Sequence, residues 1–369
     1  MNFFKKHKIL TAVILVLFLL IGTVCWFVAD KLDRITYDDG RLDDKVVGEN
    51  IDESSTGMSK TGDGYVSEGG AAASTEETIE EVLTPDQVAG LEATDIVLSD
   101  MEIFADSDVF NLLLLGTDER TEEFNENARA DAIMLLSIHK ENKTIKLVSL
   151  ERAMGVPILE GMYAGEYDIL THCFRYGGAD LMLKEVQHCL RVDVDRYVRL
   201  NFDSFEQIIN AIGGVDVELT ELEAKALNGE VYTNAWTEHE VYPGYNHMDG
   251  YDALQYARLR YIDSDWRRIE RQRKLIQSVV YAAADSSLLE LNEAANTILP
   301  LIHTNLTKTE ILELIFFAPN LFGIEIDQMT IPQSGTYGTM TGLGGRSLLA
   351  VDFETNAQIL RNFFYGEQE

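Results

Sequence analysis

A run of 21 residues without a charged side chain, residues 9–29 (ILTAVILVLFLLIGTVCWFVA), limits the structure of this chain more than any other feature. A helix of that length measures about 30 Å, which matches the hydrocarbon core of a bilayer. Lys5, Lys6 and Lys8 precede the run, and positively charged flanks stay in the cytoplasm. We therefore expect a cytoplasmic tail over 1–8, a single-pass helix in the cell membrane and an extracellular remainder. The alternative is a cleaved signal peptide, but the run is long and no small-residue cleavage site follows it.

Residues 30–108 have the composition of a spacer. They contain 22 Asp and Glu residues against 5 Lys and Arg residues, and their middle is rich in Gly, Ser and Ala. Such a segment buries too little apolar area to offset the entropy of ordering, so we predict an acidic, flexible extracellular linker. The formal net charge of the whole chain is −32, which excludes a general nucleic-acid-binding protein because phosphate backbones require a basic surface.

From residue 109 to residue 369 the hydrophobic pattern is that of one folded domain. Strands and helices alternate along it, which predicts an α/β fold with an α-β-α arrangement, a mixed central sheet and flanking helices. The strand-like runs cover 109–116, 132–139, 144–151, 197–202 and 215–219. The helical runs cover 179–190, 204–213, 250–260, 265–285, 307–319 and 356–364, the first of them after a Gly177-Gly178 break.

The second and third strands flank a four-residue polar turn and therefore predict a hairpin. If it closes at the middle of that turn, facing residue numbers sum to 283 and Asp131 lies opposite Arg152. Arg129 is then nearby, and Asp118 joins them if the first strand adds to the hairpin with its C-terminal end at the open side. Two carboxylates among arginines are able to hold Mg²⁺ bridged to a pyrophosphate, or alternatively to cap backbone groups of turns.

An arginine-rich helix supplies a second group of candidates. Arg268, Arg271 and Gln272 fall on one stripe of this helix, and the later members of the same stripe are apolar. Arginines on an inward stripe require an anionic partner. That partner is either Asp265 in an internal ion-pair network or a bound phosphate, and the pattern leaves both alternatives open.

Cys173 and Cys189 are the two cysteines of the exported part of the chain. An extracellular location permits a disulfide between them, but the sequence does not define their geometry, so bridged and free thiols both remain open. No Cys/His cluster has the spacing of a zinc site.

Six segments in the same order make the chain resemble a known family. It resembles the LytR–CpsA–Psr family, the bacterial cell-wall glycopolymer ligases, from about Val109 to the C-terminus. The segments are LLLLGTDER (112–120), ARADAIMLLSI (128–138), VSLER (148–152), THCFRYGGADL (171–181), VRLNFDSFEQIINAIGGVDVEL (198–219) and GYDALQYARLRYIDSDWRRIERQRKLI (250–276).

The resemblance implies a membrane-anchored phosphotransferase. Such an enzyme binds a polyprenyl-pyrophosphate-linked glycan, such as a teichoic acid or capsule precursor, and moves the glycopolymer to peptidoglycan with the assistance of Mg²⁺ or Mn²⁺. The lipid is expected in a pocket lined by apolar residues of the helices after Gly178 and Asp203. Two other functions remain open: a non-catalytic envelope regulator that binds polyprenyl pyrophosphates, and a pyrophosphate hydrolase.

The resemblance also implies a role for each candidate residue. Asp118 and Asp131 are the expected metal ligands. The expected catalytic residues are Asp118, Asp131, Arg152 and Asp265. The expected pyrophosphate-binding residues are Arg129, Arg152, Arg258, Arg260, Arg268 and Gln272. For the general base, Asp265 and Asp118 are alternatives.

Two positions depart from the family pattern. The usual Pro-Arg-Asp after the second hairpin strand is Glu151-Arg152-Ala153 here, so the arginine is retained and the following aspartate is lost. His172 stands where relatives often carry Asn. The first departure leaves a secondary polar contact in question and is the reason to keep the non-catalytic alternative.

Overall fold

A computed structural model of the chain describes residues 30–38, 40, 96–119, 128–285, 288–317 and 326–366. Within these ranges, no helix is both long enough and apolar enough to cross a membrane. The predicted membrane span at 9–29 and most of the predicted linker lie outside the described residues.

Strands and helices alternate along the described chain, as the hydrophobic pattern predicts. The strands are β1 (Thr36–Tyr37), β2 (Val109–Thr117), β3 (Ala130–His139), β4 (Thr144–Leu150), β5 (Gly155–Pro157), β6 (Tyr167–Ile169), β7 (Tyr197–Leu200), β8 (Val215–Leu219), β9 (Gly244–Met248), β10 (His303–Thr304), β11 (Ile326–Ile331), β12 (Tyr337–Thr341) and β13 (Ser347–Val351). The helices are α1 (Leu170–Leu190), α2 (Phe202–Ala211), α3 (Glu221–Leu227), α4 (Gly250–Arg258), α5 (Asp265–Asp285), α6 (Leu288–Ile298), α7 (Lys308–Phe317) and α8 (Phe353–Tyr365).

Seven strands form the central sheet, in the order β1-β10-β7-β2-β3-β4-β11. The sheet is mixed, because β2 is antiparallel to β3 but parallel to β7, and β4 is parallel to β11. Met134 pairs with Ser149 in the hairpin, which confirms the predicted register. Gly116 pairs with Ala132, so the C-terminal end of β2 lies at the open end of the hairpin, also as predicted.

Side chains alternate between the two faces of this sheet along each strand. Each face packs against a different set of helices. Leu113 and Leu115 of β2 belong to the main core, which includes Phe174 of α1 and Leu360 of α8. On the opposite face, Leu114 packs in a smaller cluster that also contains Ile276 of α5. The predicted arrangement of a mixed sheet between helices is therefore confirmed.

A second core lies beyond the helices of that opposite face. It joins the β8–β9 hairpin to α2, α3, α4 and α5 through buried residues that include Ile209, Val217, Leu227, Tyr256 and Leu275. This unit holds α2, α4 and α5 over the sheet and thereby fixes the position of the arginine-rich segment that follows α4.

Both described ends of the predicted linker belong to the folded domain, so the boundary at Val109 requires correction. Residues 36–37 pair with His303–Thr304 at the edge of the central sheet, and Ile35 is buried. Val97 and Phe104 form bridges with distant residues of the domain. The acidic composition concealed these contacts, because each depends on very few apolar side chains.

Helix α1 begins nine residues before the predicted start at Ala179 and bends at the predicted glycine break. Gly178 has φ 66°, a conformation that glycine adopts without the strain of a side chain. Cys173 and Cys189 are buried on this helix as free thiols, so the disulfide alternative is not formed. Burial raises the pKa of both thiols well above the ordinary value, which keeps them protonated.

Candidate functional site

The polar ends of β2 and β3 come together at one edge of the sheet. Asp118 directly follows β2, and its carboxylate accepts hydrogen bonds from the backbone N–H of Arg129 (2.7 Å) and from Arg129 Nε (3.2 Å). This bridging contact is the capping role that the sequence leaves open. Asp131 is the second residue of β3 and lies where the pairing with β2 shifts by one residue, between Gly116 and Thr117, at the same edge of the sheet as Arg129.

Arg152, which follows β4, joins the hairpin to helix α5. Its Nη1 donates to Asp131 Oδ1 at 3.1 Å, and its Nε donates to Asp265 Oδ2 at 2.9 Å. Burial opposes ionisation of Asp131, but the charges of Arg152, Arg268 and Arg129 outweigh that cost and lower its pKa. The predicted cross-strand pair of Asp131 and Arg152 is thus confirmed.

Asp265, the first residue of α5, binds Arg152 and Arg268 and lies 4.0 Å from Nε of a third arginine, Arg260. Arg268 contacts both of its carboxylate oxygens, at 2.9 Å and 3.0 Å, while Arg152 binds one of them. Both Asp265 and Arg268 are buried. Burial acts against the Asp265 carboxylate, yet the charges of Arg152 and Arg268 lower its pKa. The carboxylate stays ionised and orients the two guanidinium groups.

The end of α4 contributes two further arginines. Arg258 lies over the ring of Phe202, with its guanidinium carbon 4.7 Å from the ring centroid. In the described part of the chain, no carboxylate lies within ion-pair distance of Arg258. Asn234 Nδ2 donates to the carbonyl of Arg258, and its Oδ1 accepts from the N–H of Arg260. Asn234 thereby fixes both arginines, and it could not be predicted from the sequence because it lies in a loop with no motif.

These side chains surround one end of a cavity of about 430 Å³ between the sheet and helices α2, α4 and α5. Four arginines and two aspartates line that end, so positive charge is in excess among the described lining residues. The polar lining includes Asp118, Arg129, Asp131, Asn201, Asn234, Arg258, Arg260, Arg268 and Gln272. The apolar lining includes Leu114, Met134, Val198, Leu200, Phe202, Phe205, Leu254, Ala257, Leu275 and Ile276.

The structure brings all nine predicted site residues together, but not in equivalent positions. Asp118, Arg129, Asp131, Arg258, Arg260, Arg268 and Gln272 line the cavity. Arg152 and Asp265 are not among the lining residues and bind Asp131 and Arg268 from behind. The predicted lining of the apolar pocket is correct for α2, because Phe205 lines the cavity. It is wrong for α1, which contributes no lining residue because it packs on the other face of the sheet.

The positions that depart from the family pattern also lie behind the cavity wall. Glu151 is buried, and its Oε1 accepts a hydrogen bond from the N–H of Ala153 at 3.3 Å. Burial and the nearby charge of Asp265 raise the pKa of Glu151 to about 7. His172 is buried as well and binds Asp168 through Nδ1 at 2.9 Å. Neither Glu151 nor His172 lines the cavity.

Carboxylate oxygens of Asp118 and Asp131 reach the cavity and are the hard donors that Mg²⁺ and Mn²⁺ favour. Two such ligands suffice for Mg²⁺ when substrate phosphates and water complete its octahedral shell. The donor set therefore fits the predicted ion. A separate group with metal-ligand spacing within the described ranges consists of His239, Asp249 and Asp252, on the surface around α4.

The comparisons with known proteins identify the family. The LytR_cpsA_psr family model matches residues 70–361, which is more than half of the chain. The chain belongs to this family. It is 32% identical over 211 residues to the Bacillus cereus polyisoprenyl-teichoic acid–peptidoglycan teichoic acid transferase TagU, covering 56% of this chain and 64% of that protein. This is slightly less than two thirds of the relative's length.

Another curated relative and a solved structure agree with this assignment. The Bacillus subtilis transferase TagT is 30% identical over 226 residues, which cover 60% of this chain and 68% of TagT. A structure of TagT bound to LIIa-WTA superposes with a TM-score of 0.54 at 25% identity, covering 72% of this chain and 98% of that one. The family resemblance predicted from the six sequence segments is therefore confirmed.

Proposed function

We propose that this chain transfers a glycopolymer from a polyprenyl-pyrophosphate carrier to peptidoglycan. The observation that carries the proposal is a single cavity whose arginine-lined end continues into an apolar interior. A pyrophosphate requires the first part and a polyprenyl chain the second. The relatives TagU and TagT are named polyisoprenyl-teichoic acid–peptidoglycan teichoic acid transferases. Both halves of the lipid carrier therefore find chemically matched surfaces within one continuous space.

The reaction is a phosphoryl transfer. A hydroxyl oxygen of the acceptor sugar attacks the phosphorus nearer the glycan, and the bond from that phosphorus to the polyprenyl phosphate breaks. Arg129, Arg258, Arg260 and Arg268 stabilise the charge that develops on the leaving polyprenyl phosphate. Of the two candidate bases, we favour Asp118 for accepting the hydroxyl proton, because it lines the cavity whereas Asp265 is enclosed by arginines.

Arg152 and Asp265 act in this proposal as positioning residues. Asp265 fixes the fork of Arg268 on both of its nitrogens, and Arg152 fixes Asp131 from behind the wall. Asp118 and Asp131 would hold Mg²⁺ or Mn²⁺, which neutralises phosphate charge when bound.

We propose further that residues 9–29 anchor the chain in the cell membrane, with the N-terminus in the cytoplasm and the domain outside. The uncharged run and the lysines before it support this orientation. The lipid carrier is itself confined to the bilayer, so a tethered domain with an apolar cavity meets its substrate at the membrane surface. The acidic residues of the predicted linker oppose non-specific adsorption of the domain to anionic lipid.

The test uses the full chain in lipid nanodiscs with a radiolabelled polyprenyl-pyrophosphate glycan, Mg²⁺ and peptidoglycan fragments. We expect label to move to peptidoglycan in the wild type and in Arg267→Ala, an exposed arginine adjacent to Arg268. Arg129→Ala, at the cavity, should lose most of this transfer. Label released into solution without an acceptor would identify the protein as a hydrolase and rule out the transferase. Lipid binding without turnover across several glycans would replace it with a regulator.

A further inference from the structure

We infer that Tyr232 and Tyr261 form a stacking subsite for the acceptor glycan beside the cavity. The inference rests on the proposed transfer function and names the part of the surface that receives its second substrate. Tyr232 is 72% exposed and Tyr261 is 54% exposed, yet their ring centroids lie only 5.6 Å apart. Exposed aromatic rings present flat apolar faces with a polar tip, which suits the C–H faces and hydroxyls of sugars.

The backbone holds this pair in place. Tyr261 has φ 69°, an uncommon and strained conformation for a bulky aromatic residue. The carbonyl of Arg260 accepts a hydrogen bond from Thr233 Oγ1 at 3.1 Å, next to the Asn234 contacts already described. The two segments that carry the rings are therefore tied together by three hydrogen bonds, which Thr233 and Asn234 form with Arg258 and Arg260. A strained residue kept at the surface for an exposed ring indicates a recognition role.

The pair adjoins the reacting end of the cavity. The guanidinium carbon of Arg260 lies 5.6 Å from the ring centroid of Tyr261, and Arg260 itself lines the cavity. Asn234, two residues after Tyr232, lines it too. A sugar stacked on these rings would have its neighbouring hydroxyl directed towards the arginines, where the proposed pyrophosphate lies. An acceptor subsite must lie next to the pyrophosphate in this way, because the acceptor hydroxyl attacks there.

The charge of the loop that carries Tyr232 distinguishes between the two glycans that this subsite could bind. Residues 228–243 contain Glu230, Glu238 and Glu240 and no Lys or Arg. A phosphate-rich donor polymer would be repelled by these carboxylates, which are exposed. The uncharged N-acetylated glycan strand of the acceptor meets no such penalty. We therefore assign the subsite to the acceptor strand and not to the polymer being transferred.

Kinetics of full-length variants test this assignment. The double variant Tyr232→Ala/Tyr261→Asn removes both rings, and Asn tolerates the left-handed backbone at position 261. We expect the KM for the acceptor to rise roughly tenfold, from the size of aromatic contacts, while the KM for the donor stays unchanged. Tyr245→Ala is the matched control, a 79% exposed tyrosine on β9. An equal rise in the donor KM, or the same acceptor KM as in the control, would overturn the assignment.

A binding measurement separates the subsite from catalysis. Saturation-transfer NMR is recorded on the full chain with a β-1,4-linked N-acetylglucosamine oligomer and, separately, with poly(glycerol phosphate). We expect transfer to the sugar oligomer in the wild type and in Tyr245→Ala, and its loss in the double variant. That result supports the subsite even if no glycan transfer is ever measured. Equal signals in the double variant, or a preference for the phosphate polymer, would overturn it.

Discussion

Two buried arginines, one turn apart on helix α5, have opposite surroundings. Arg271 is bound by Asp263 through both terminal nitrogens at 2.7 Å, by Glu223 at 3.3 Å and by the carbonyl of Leu259. Arg268 shares one aspartate, Asp265, with Arg152 and Arg260, and it lines a cavity. The first arginine is neutralised within the protein, and the second belongs to a group with excess positive charge.

The sequence left open whether the arginines on α5 form an internal ion-pair network or bind a phosphate, and the surroundings of Arg268 and Arg271 distinguish these alternatives. The stripe on α5 is both an internal ion-pair network, at Arg271, and a candidate anion site, at Arg268. Burial alone does not distinguish the two, because each arginine is almost fully buried. The number of carboxylates around each guanidinium does: Arg271 has Asp263 and Glu223, whereas Arg268 has Asp265, which it shares with Arg152.

The largest expected effect is on stability at Arg271. Arg271→Gln leaves Glu223 and Asp263 without their shared partner, and the free energy of unfolding should fall by about 3–5 kcal/mol. Transfer activity per folded molecule should not change. Chemical denaturation of the full chain, with activity measured on the folded fraction, tests both points. A loss of specific activity with little loss of stability would place Arg271 in the site instead.

Arg268→Gln should lower transfer activity and leave stability almost unchanged. Asp265 keeps Arg152 as a partner, so the fold is retained, but one guanidinium aimed at the developing charge is lost. By analogy with removal of one oxyanion donor, the rate constant of transfer should fall on the order of 10²–10³-fold. Arg267→Gln, the exposed neighbour, should match the wild type. If Arg268→Gln unfolds like Arg271→Gln and keeps its specific activity, the contrast between the two arginines fails.

Phe205 tests the apolar half of the cavity. Phe205→Ala removes part of the proposed lipid contact, and loss of an apolar contact worth about 1.5 kcal/mol or more corresponds to roughly a tenfold rise in KM for a long-chain donor. A donor with a short lipid should be affected much less. Ile208→Ala, on the same helix but outside the lining, is the control. Equal effects on both donors would show that Phe205 does not contact the lipid.

A pH-dependent effect on stability is expected at Glu151, whose pKa is raised from 4.5 to about 7. Between these pH values the folded state holds a proton that the unfolded state has released, so this group makes stability fall as pH rises. Glu151→Gln removes that contribution. The variant should therefore lose less unfolding free energy than the wild type between pH 5 and pH 8, by up to about 3 kcal/mol. Parallel pH curves for the two proteins would contradict the assignment.

The sequence was most informative where neighbouring elements pair directly. The hairpin register follows from a short turn, and it places Asp131 beside Arg152 from the sequence alone. The spacing along α5 likewise selected Arg268 and Gln272, because helical periodicity defines a face. Both predictions need only local geometry, which period and turn length determine.

Long-range contacts could not be predicted from the hydrophobic periodicity of the sequence. The two residues of β1 join the sheet edge across most of the chain, and so short a strand has no pattern of its own. Asn234 reaches the site from a loop with no hydrophobic period. Arg152 and Asp265 were predicted as members of the site, but only the three-dimensional packing reveals that they lie behind its wall.

A structure of the full chain with bound polyprenyl pyrophosphate shows whether this cavity holds the lipid carrier. We predict that the pyrophosphate lies within hydrogen-bonding distance of Arg129, Arg258 and Arg260, with the lipid passing Phe205 and Ile276 towards the apolar end. Pyrophosphate bound elsewhere on the domain, or lipid lying outside this cavity, would contradict the account.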